Sequence, residues 1–474
     1  MVYGSGTFIV QFLSFITLPI YTRIFLPSEY GVLETVTTVA SLLALFSTLL
    51  LEAGTQRIYF DYNSQQILER KRVISTSFWF LVFWNGFYLL CILLNSKLIN
   101  NLFFKNADYT ILLIIAFVTI PMTSLVMFSR EILRLHNKAF KFTLFSLLNG
   151  IIGTGISLFL VIYCLLGLKG RLLGPLITGV LVLPLLIWTN RADIKFLFAI
   201  EELKKMLHFS LPLILTNGAM WILTLSDRFF LVRLTSLEEV GFYSIGVKLT
   251  IPLLLFITSF GMAWSPFILS IYSDDKEIEK KLRGKVFTYY MLVLFLFAAI
   301  ISLFAKEFIL LLATKKFLES YKVVGILTLS VVALGSTQLV CTGISLTKKT
   351  MYFAYYTTIC ALVNLSLNGI LIPLWGMIGA GLATLISYCL LGYLYYWKSQ
   401  ILYPTPYEPR QVLKMSIIIC PFILAGIFLN FNTITANVLI KIFLLFGFVL
   451  LLFIFRVFSM KEICGLKEMI RLKG

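Results

Sequence analysis

Apolar runs of about twenty residues follow one another along nearly the whole chain, separated by short polar connectors. An α-helix of that length, rising 1.5 Å per residue, crosses a hydrocarbon layer about 30 Å thick. Ten-residue segments that alternate apolar and polar positions, the mark of a membrane barrel, do not occur. The pattern predicts an all-α polytopic membrane protein with about fourteen spans, near 2–22, 31–51, 73–95, 109–129, 142–166, 172–190, 209–232, 241–269, 286–305, 323–346, 351–373, 376–397, 415–429 and 438–455. No connector is long enough to fold as a domain outside the membrane. The longest, 191–208 and 274–285, read as amphipathic links.

Composition agrees with the pattern: the 474 residues are 59% hydrophobic and 13% charged, against about 25% charged in soluble proteins. A formal charge of +18 would suit a nucleic-acid binder, but its distribution argues for membrane orientation and against nucleic acid. One alternate set of connectors, from Arg57 to the tail, holds 27 of the 40 basic residues, and the opposite set, from Arg23 to Lys441, holds 11. The richer side is expected to face the cytoplasm, with both termini there and an even number of spans. No cleavable signal peptide is read: the start lacks a basic segment and its apolar run is too long. The seven cysteines form no CxxC pair, and His136 and His208 lie far apart in polar connectors. Neither a metal site nor a disulfide framework is expected, and no cofactor. The absence of a G-x-x-x-x-G-K-[ST] loop argues against direct ATP hydrolysis.

The stretch "YTRIFLPSEYG" (21–31) returns more loosely as "LVRLTSLEEVG" (231–241), at an offset of 210. Three further echoes follow in order. Arg70 stands against Arg283, Lys138 against Lys349, and Gly170 against Gly376, at offsets of 213, 211 and 206. One duplicated unit of six spans explains all four, and an even number of spans makes the copies parallel, as in transporters whose halves enclose a central path. The expected division is an N-terminal lobe at 1–205, a second lobe at 206–400, and two further spans with a cytoplasmic tail at 401–474. The corner itself reads as structural. Ser236 and Glu239 fit a capping box, Pro27 suits a first helical turn, and Arg23 and Arg233 are placed to snorkel and meet Glu29 and Glu239.

"LPIYTRIFLPSEYG", "DRFFLVRLTSLEEVGFYSIGVKL" and "IPLWGMIGAGLATLISY" resemble the Wzx-type O-antigen flippases and polysaccharide exporters of the multidrug/oligosaccharidyl-lipid/polysaccharide superfamily, across nearly the whole chain. The resemblance implies two six-helix lobes in a V around a central cavity, followed by two extra helices. It also implies a flippase, not an enzyme. The substrate would be a polyprenyl-pyrophosphate-linked oligosaccharide, such as an O-antigen or other surface-polysaccharide repeat unit for lipopolysaccharide biosynthesis. The protein would carry it across the cytoplasmic membrane by alternating access and hand it to polysaccharide polymerase machinery. Members commonly begin with a basic cytoplasmic stretch, whereas here Met1 abuts "VYGSG"; the start is expected to be truncated, and orientation rests on later connectors.

Charges inside spans cost about 2.5–3.5 kcal/mol on insertion scales and so point to sites. The seventh span carries Asn217, Trp221, Thr224 and Arg228, spaced 4, 3 and 4, which places them on one helical face. Arg228, with Lys248 of the eighth span, is the candidate for binding a pyrophosphate, because a guanidinium fork matches phosphate oxygens. The alternative is a structural ion-pair cluster of Asp227, Arg228 and Lys248, in which Asp227 pairs with Lys248 across the hairpin rather than with its neighbour. Glu34 and Asp227 are candidates for ion coupling or ion pairing, and Arg130 and Arg134 for attracting the incoming headgroup or for plain positive-inside anchoring. Gln11, Asn85, Gln338, Asn364 and Asn368 are candidates for hydrogen bonds to sugars or between helices. Lys441 is expected to snorkel. The rival readings are a drug or cation antiporter of the same superfamily, which should favour acidic cavity groups, and an integral-membrane glycosyltransferase or polymerase, which should show a large catalytic outer loop.

Overall fold

The computed structural model describes residues 12–104, 107–271, 276–429, 434–455 and 457. Gln11, the start of the first predicted span, and the tail with Cys464 lie outside them. The described residues form helices joined by short connectors, without strands. Twelve helices are long and apolar enough to cross a membrane. One of them, 52 residues long, breaks at Gly376, and a shorter apolar helix covers Phe12–Ile24. Counting both halves of the broken helix and the short one gives fourteen spans among the described residues.

The chain divides into two compact units, Met1–Gly241 and Phe242–Gly474. The first contains α1 (Leu18–Ile24), α2 (Pro27–Thr48), α3 (Leu51–Asp61), α4 (Ile67–Leu94), α5 (Ser96–Phe104), α6 (Thr110–Leu135), α7 (Ala139–Ile162), α8 (Gly167–Thr189) and α9 (Ile200–Leu234). It also holds the first turn of α10 (Leu237–Leu249). The unit boundary thus falls after α9, because α9 packs on α2, α3, α4 and α5. The core joins Leu51 and Ile58 of α3, Ile74 and Phe78 of α4, Phe128 and Ile132 of α6, and Met206 of α9. In lipid, helices associate through close packing rather than hydrophobic exclusion, so small residues mark the crossings. Gly54 lies against the Met206 carbonyl, and Gly174 against Ser157 and the Gly153 carbonyl.

Between α2 and α3 the chain breaks at Leu49 and Leu50, both left-handed at φ 47° and 50°, a conformation that strains a branched side chain. The break frees carbonyls at the end of α2, and α4 supplies donors. The Trp84 indole donates to the Phe46 carbonyl at 2.9 Å and the Asn85 amide to the Ser47 carbonyl at 3.3 Å, while the Tyr88 hydroxyl reaches the Leu43 carbonyl at 2.8 Å. Asn85 also donates to Leu81 O and Ser124 Oγ and accepts from Ser47 Oγ. It is an interhelical tie.

The second unit carries α11 (Ile251–Ile271), α12 (Lys276–Leu303), α13 (Ala305–Leu312), α14 (Tyr321–Val340), α15 (Thr342–Leu346), α16 (Met351–Leu402), α17 (Pro409–Phe428) and α18 (Ile434–Ile454). The eighth predicted span is interrupted where α10 gives way to α11, because Pro252 has no N–H to bond one turn back. Three expectations are corrected here. In the predicted link 274–285, the described residues 276–285 are the first turns of a spanning helix: α12 begins at Lys276, and Arg283, fully buried, pairs with Glu279 and lies 4.9 Å over the Tyr403 ring. Residues 191–199 are a non-helical strap on α4, held by Ser75, Thr76 and Trp79, and α9 starts directly after it. Lys441 does not snorkel. It is 1% exposed, and its ammonium lies 2.7 Å from Glu307, because a carboxylate within reach removes the need to seek water.

The duplication is visible in the backbone. α6 and α15 both end in a Schellman turn, with Asn137 (φ 55°) and Lys348 (φ 58°) in the left-handed position. In each, the next N–H reaches five residues back, Lys138 to Leu133 O at 2.9 Å and Lys349 to Ile344 O at 3.2 Å. The next connector has a positive-φ glycine in both copies, Gly167 and Gly376, so Gly376 is matched by Gly167 rather than by Gly170. Arg70 and Arg283 likewise both cover a tyrosine ring. At the repeated corner, Glu29 accepts from Leu26 N at 2.9 Å and Ser236 Oγ accepts from Glu239 N at 3.2 Å, so both copies cap a helix start. Arg233 donates to Leu102 O instead of needing Glu239.

Candidate functional site

The seventh-span face lies on α9. Helical spacing of 4, 3 and 4 carries it from Asn217 and Thr224, both exposed, to Arg228, 4% exposed. Trp221 is tied to α2 through its indole, which donates to Ser41 Oγ at 2.9 Å. The Asn217 amide donates to Leu213 O and the Thr224 hydroxyl to Met220 O, one turn back along the helix.

Arg228 sits six residues before the end of α9, about 9 Å along the axis and far from the basic connectors. Its Nη1 lies 3.2 Å from Asp227 Oδ1 and donates to the Thr224 carbonyl at 3.3 Å. Its Nε lies 3.9 Å from Glu34 Oε2 of α2. The expectation that neighbours 227 and 228 face apart is corrected: the Asp227 carboxylate curls back to accept the Arg228 backbone N–H at 2.7 Å and meets the folded guanidinium there. Lys248 is half-buried on α10, in the second unit.

Sequence reasoning misses two aromatic members of this site and one basic member. Tyr30, buried one turn before Glu34 on α2, lies within the electrostatic reach of Glu34, Arg171 and Arg228. Arg171 of α8 lies 5.2 Å over the Tyr21 ring. The i, i+4 spacing of Tyr30 and Glu34 is the signal for the first; nothing local announces Arg171, which reads as one more residue of a polar connector. Opposite charges thus stand close together on Arg228, Asp227 and Glu34, the arrangement that lets charge sit at low exposure.

Arg130 and Arg134 lie elsewhere, at the opposite end of the unit on α6. Arg130 donates to Ser146 Oγ at 3.1 Å and covers Phe142. Arg134 is exposed and pairs with Glu131 at 3.5 Å. In the second unit Asn364 and Asn368 are fully buried, with the Asn368 amide donating to Asn364 Oδ1 at 3.0 Å. Gln338 is exposed beside Gly261. Among the described residues no group of three His, Cys, Asp or Glu is placed to hold a metal.

The model of a family described as polysaccharide biosynthesis protein matches residues 20–322, well over half the chain. The chain belongs to that polysaccharide biosynthesis family. Solved structures similar to this family member are membrane transporters. A lipid II flippase MurJ in an inward closed conformation has a TM-score of 0.73 at 18% identity, covering 94% of this chain and 97% of that one. An inward-facing multidrug-resistance MATE transporter of the MOP superfamily has a TM-score of 0.70 at 14% identity, covering 86% and 96%. A point mutant of the Vibrio cholerae MATE transporter VcmN has a TM-score of 0.58 at 14% identity, covering 84% and 95%. No curated protein matches. At these identities the likeness shows the fold of the MurJ and MATE transporters, and the family carries the tie to polysaccharide biosynthesis.

Proposed function

We propose that the protein flips a polyprenyl-pyrophosphate-linked oligosaccharide from the cytoplasmic to the outer leaflet of the cytoplasmic membrane by alternating access. The family description and the fold shared with a lipid II flippase support a lipid-linked glycan as substrate. The observation that carries the reading is Arg228, a buried guanidinium whose partners are unequal: Asp227 is in contact at 3.2 Å, and Glu34 only at 3.9 Å. Glu34 is the partner a pyrophosphate displaces, since a doubly charged oxyanion out-competes a single carboxylate for an arginine fork. Protonation of Glu34 makes the exchange easier, which couples substrate binding to a proton. Asn217, Trp221 and Thr224 continue along the same face toward the sugars. Arg134, exposed among the basic connectors, attracts the headgroup before translocation, while Arg130 is anchored to Ser146 and keeps to a structural role. The two lobes alternate, the two final spans accompany them, and polymerase machinery consumes the product.

The test is headgroup protection in liposomes that contain purified protein and a labelled polyprenyl-pyrophosphate oligosaccharide. Protein-dependent protection lost in Arg228→Ala, and reduced about tenfold or more in Arg228→Lys, supports both function and site. Equal protection in Arg228→Ala keeps the function and discards the site. No protection, combined with ion-driven uptake of a cationic dye, transfers the assignment to a cation antiporter built on Glu34 and Asp227.

A further inference from the structure

A polar cavity lies inside the first unit, about 270 Å³ in volume, walled by Tyr59, Ser64, Arg70, Lys71, His136 and Asp193, with Ile67 and Ile74. It is remote from Arg228. The strap residue Asp193 and the start of α9 stand at its edge, where Tyr62 donates to Glu202. Arg228 is 26 residues further along α9, about 39 Å at 1.5 Å per residue.

The cavity is built around a fixed guanidinium. Arg70 donates from Nε and Nη2 to the Tyr62 carbonyl at 3.1 and 2.7 Å, and its Cζ lies 4.6 Å from the Tyr59 ring centroid. One edge and one face are thereby occupied, leaving Nη1 as the remaining donor group. His136 stands edge-on to the same ring at 6.0 Å and is oriented by Asp193 Oδ2 at 3.1 Å from Nε2. Lys71, half-buried, makes no hydrogen bond or ion pair among the described residues. Lys138 adds its field at Asp193. Three cationic or protonatable groups therefore line the cavity with a single carboxylate, Asp193. Exposed Phe60, Ile67 and Leu68 adjoin it, an apolar collar that belongs at the level where headgroups meet acyl chains.

We propose that this cavity binds the phosphate of an anionic membrane phospholipid, with Arg70, Lys71 and His136 as its donors. The volume lies just under the range that holds drug-sized ligands, so it suits a phosphodiester headgroup and excludes an oligosaccharide. A bound lipid phosphate joins the start of α4, the end of α6 and the 191–199 strap, adding to the ties that Ser75 and His136 already make to Asp193.

The experiment is native mass spectrometry of the purified full-length protein titrated with phosphatidylglycerol, beside phosphatidylcholine and inorganic phosphate, for wild type, Lys71→Gln, Lys71→Arg and His136→Gln. Arg57→Gln serves as the control, because Arg57 is exposed and paired with Asp61. The expected result is one saturable phosphatidylglycerol, weakened about fivefold or more in Lys71→Gln and His136→Gln and kept in Lys71→Arg and Arg57→Gln. Equal weakening in Arg57→Gln and Lys71→Gln overturns the site in favour of diffuse surface charge. Displacement of the lipid by millimolar inorganic phosphate overturns the lipid as occupant and leaves free phosphate as the ligand. Matching thermal unfolding profiles of the variants separate lost binding from lost fold, and Lys71→Arg keeps the test decisive if Lys71→Gln unfolds.

Discussion

Gly31→Ala tests the reading of the repeated corner. A Cβ at Gly31 would overlap the carbonyl oxygen of Leu237 and press on the Gly241 nitrogen at 3.2 Å, and a Cβ at Gly241 would overlap the Pro27 carbonyl. Both obstacles are backbone, so no rotamer change relieves them, and the two helix starts must part by roughly an ångström or more. Overpacking of this kind costs about 1–3 kcal/mol. Gly86→Ala is the matched control, because nothing lies within 4 Å of the methyl it would add and alanine in a helix interior gains up to about 1 kcal/mol over glycine. The assay is equilibrium unfolding of the purified protein in mixed micelles, followed by tryptophan fluorescence. Gly31→Ala and Gly241→Ala should each destabilise, Gly86→Ala should not, and the double variant should cost at least about 0.5 kcal/mol less than the sum, since one displacement accommodates both methyls. Wild-type stability in Gly31→Ala, or strict additivity, would refute the reciprocal contact.

Lys441→Leu should cost about 3–5 kcal/mol in the same unfolding assay by stranding Glu307, whereas Lys441→Leu with Glu307→Gln should return to within about 1 kcal/mol of wild type. Asn85→Leu should cost about 1–3 kcal/mol by releasing the Ser47 carbonyl at the α2–α3 break, and trypsin or hydrogen exchange should show the loss concentrated there. Burial alone would raise the Asp193 carboxyl, but His136, Lys138 and Lys71 hold it below its ordinary value of 3.8. Its contribution is therefore full above that value and lost as pH falls through the lower folded one. Asp193→Asn should flatten the acid limb of the stability profile, read by thermal unfolding between pH 6 and pH 3.

The spans and the duplication are legible in the sequence because both are long-range patterns. Apolar length reports the bilayer, and the offset near 210 reports the copy, down to the paired turns at Asn137 and Lys348. What sequence does not supply is the partner of each intramembrane charge. Arg228 is visible as a candidate, but Glu34 is 194 positions away and Arg171 sits in what reads as a connector. A rule about side chains at successive helix positions argues against adjacent Asp227, and a long flexible arginine escapes that rule by folding back. Local spacing sends Lys441 to the interface for the same reason: its carboxylate, Glu307, is 134 residues earlier and invisible to it. The basic runs at 274–285 and 191–208 mislead because charge density alone does not distinguish a surface link from the first turns of a spanning helix or a strap.

The buried Lys441–Glu307 pair bears on how the chain is made. α18 leaves the ribosome after every other described span, and it carries an ammonium into the lipid. Its mean hydropathy window of 2.7 is the highest among the candidate spans, enough to carry one lysine through insertion. Its partner Glu307 is synthesised 134 residues earlier. Lys306, beside it, donates to the carbonyls of Ile427 and Leu429 at the end of α17. The short helix α13 is therefore a docking post for both α17 and α18, the first held through Lys306 and the second through Glu307, and it ties the last two described spans to the rest of the second unit.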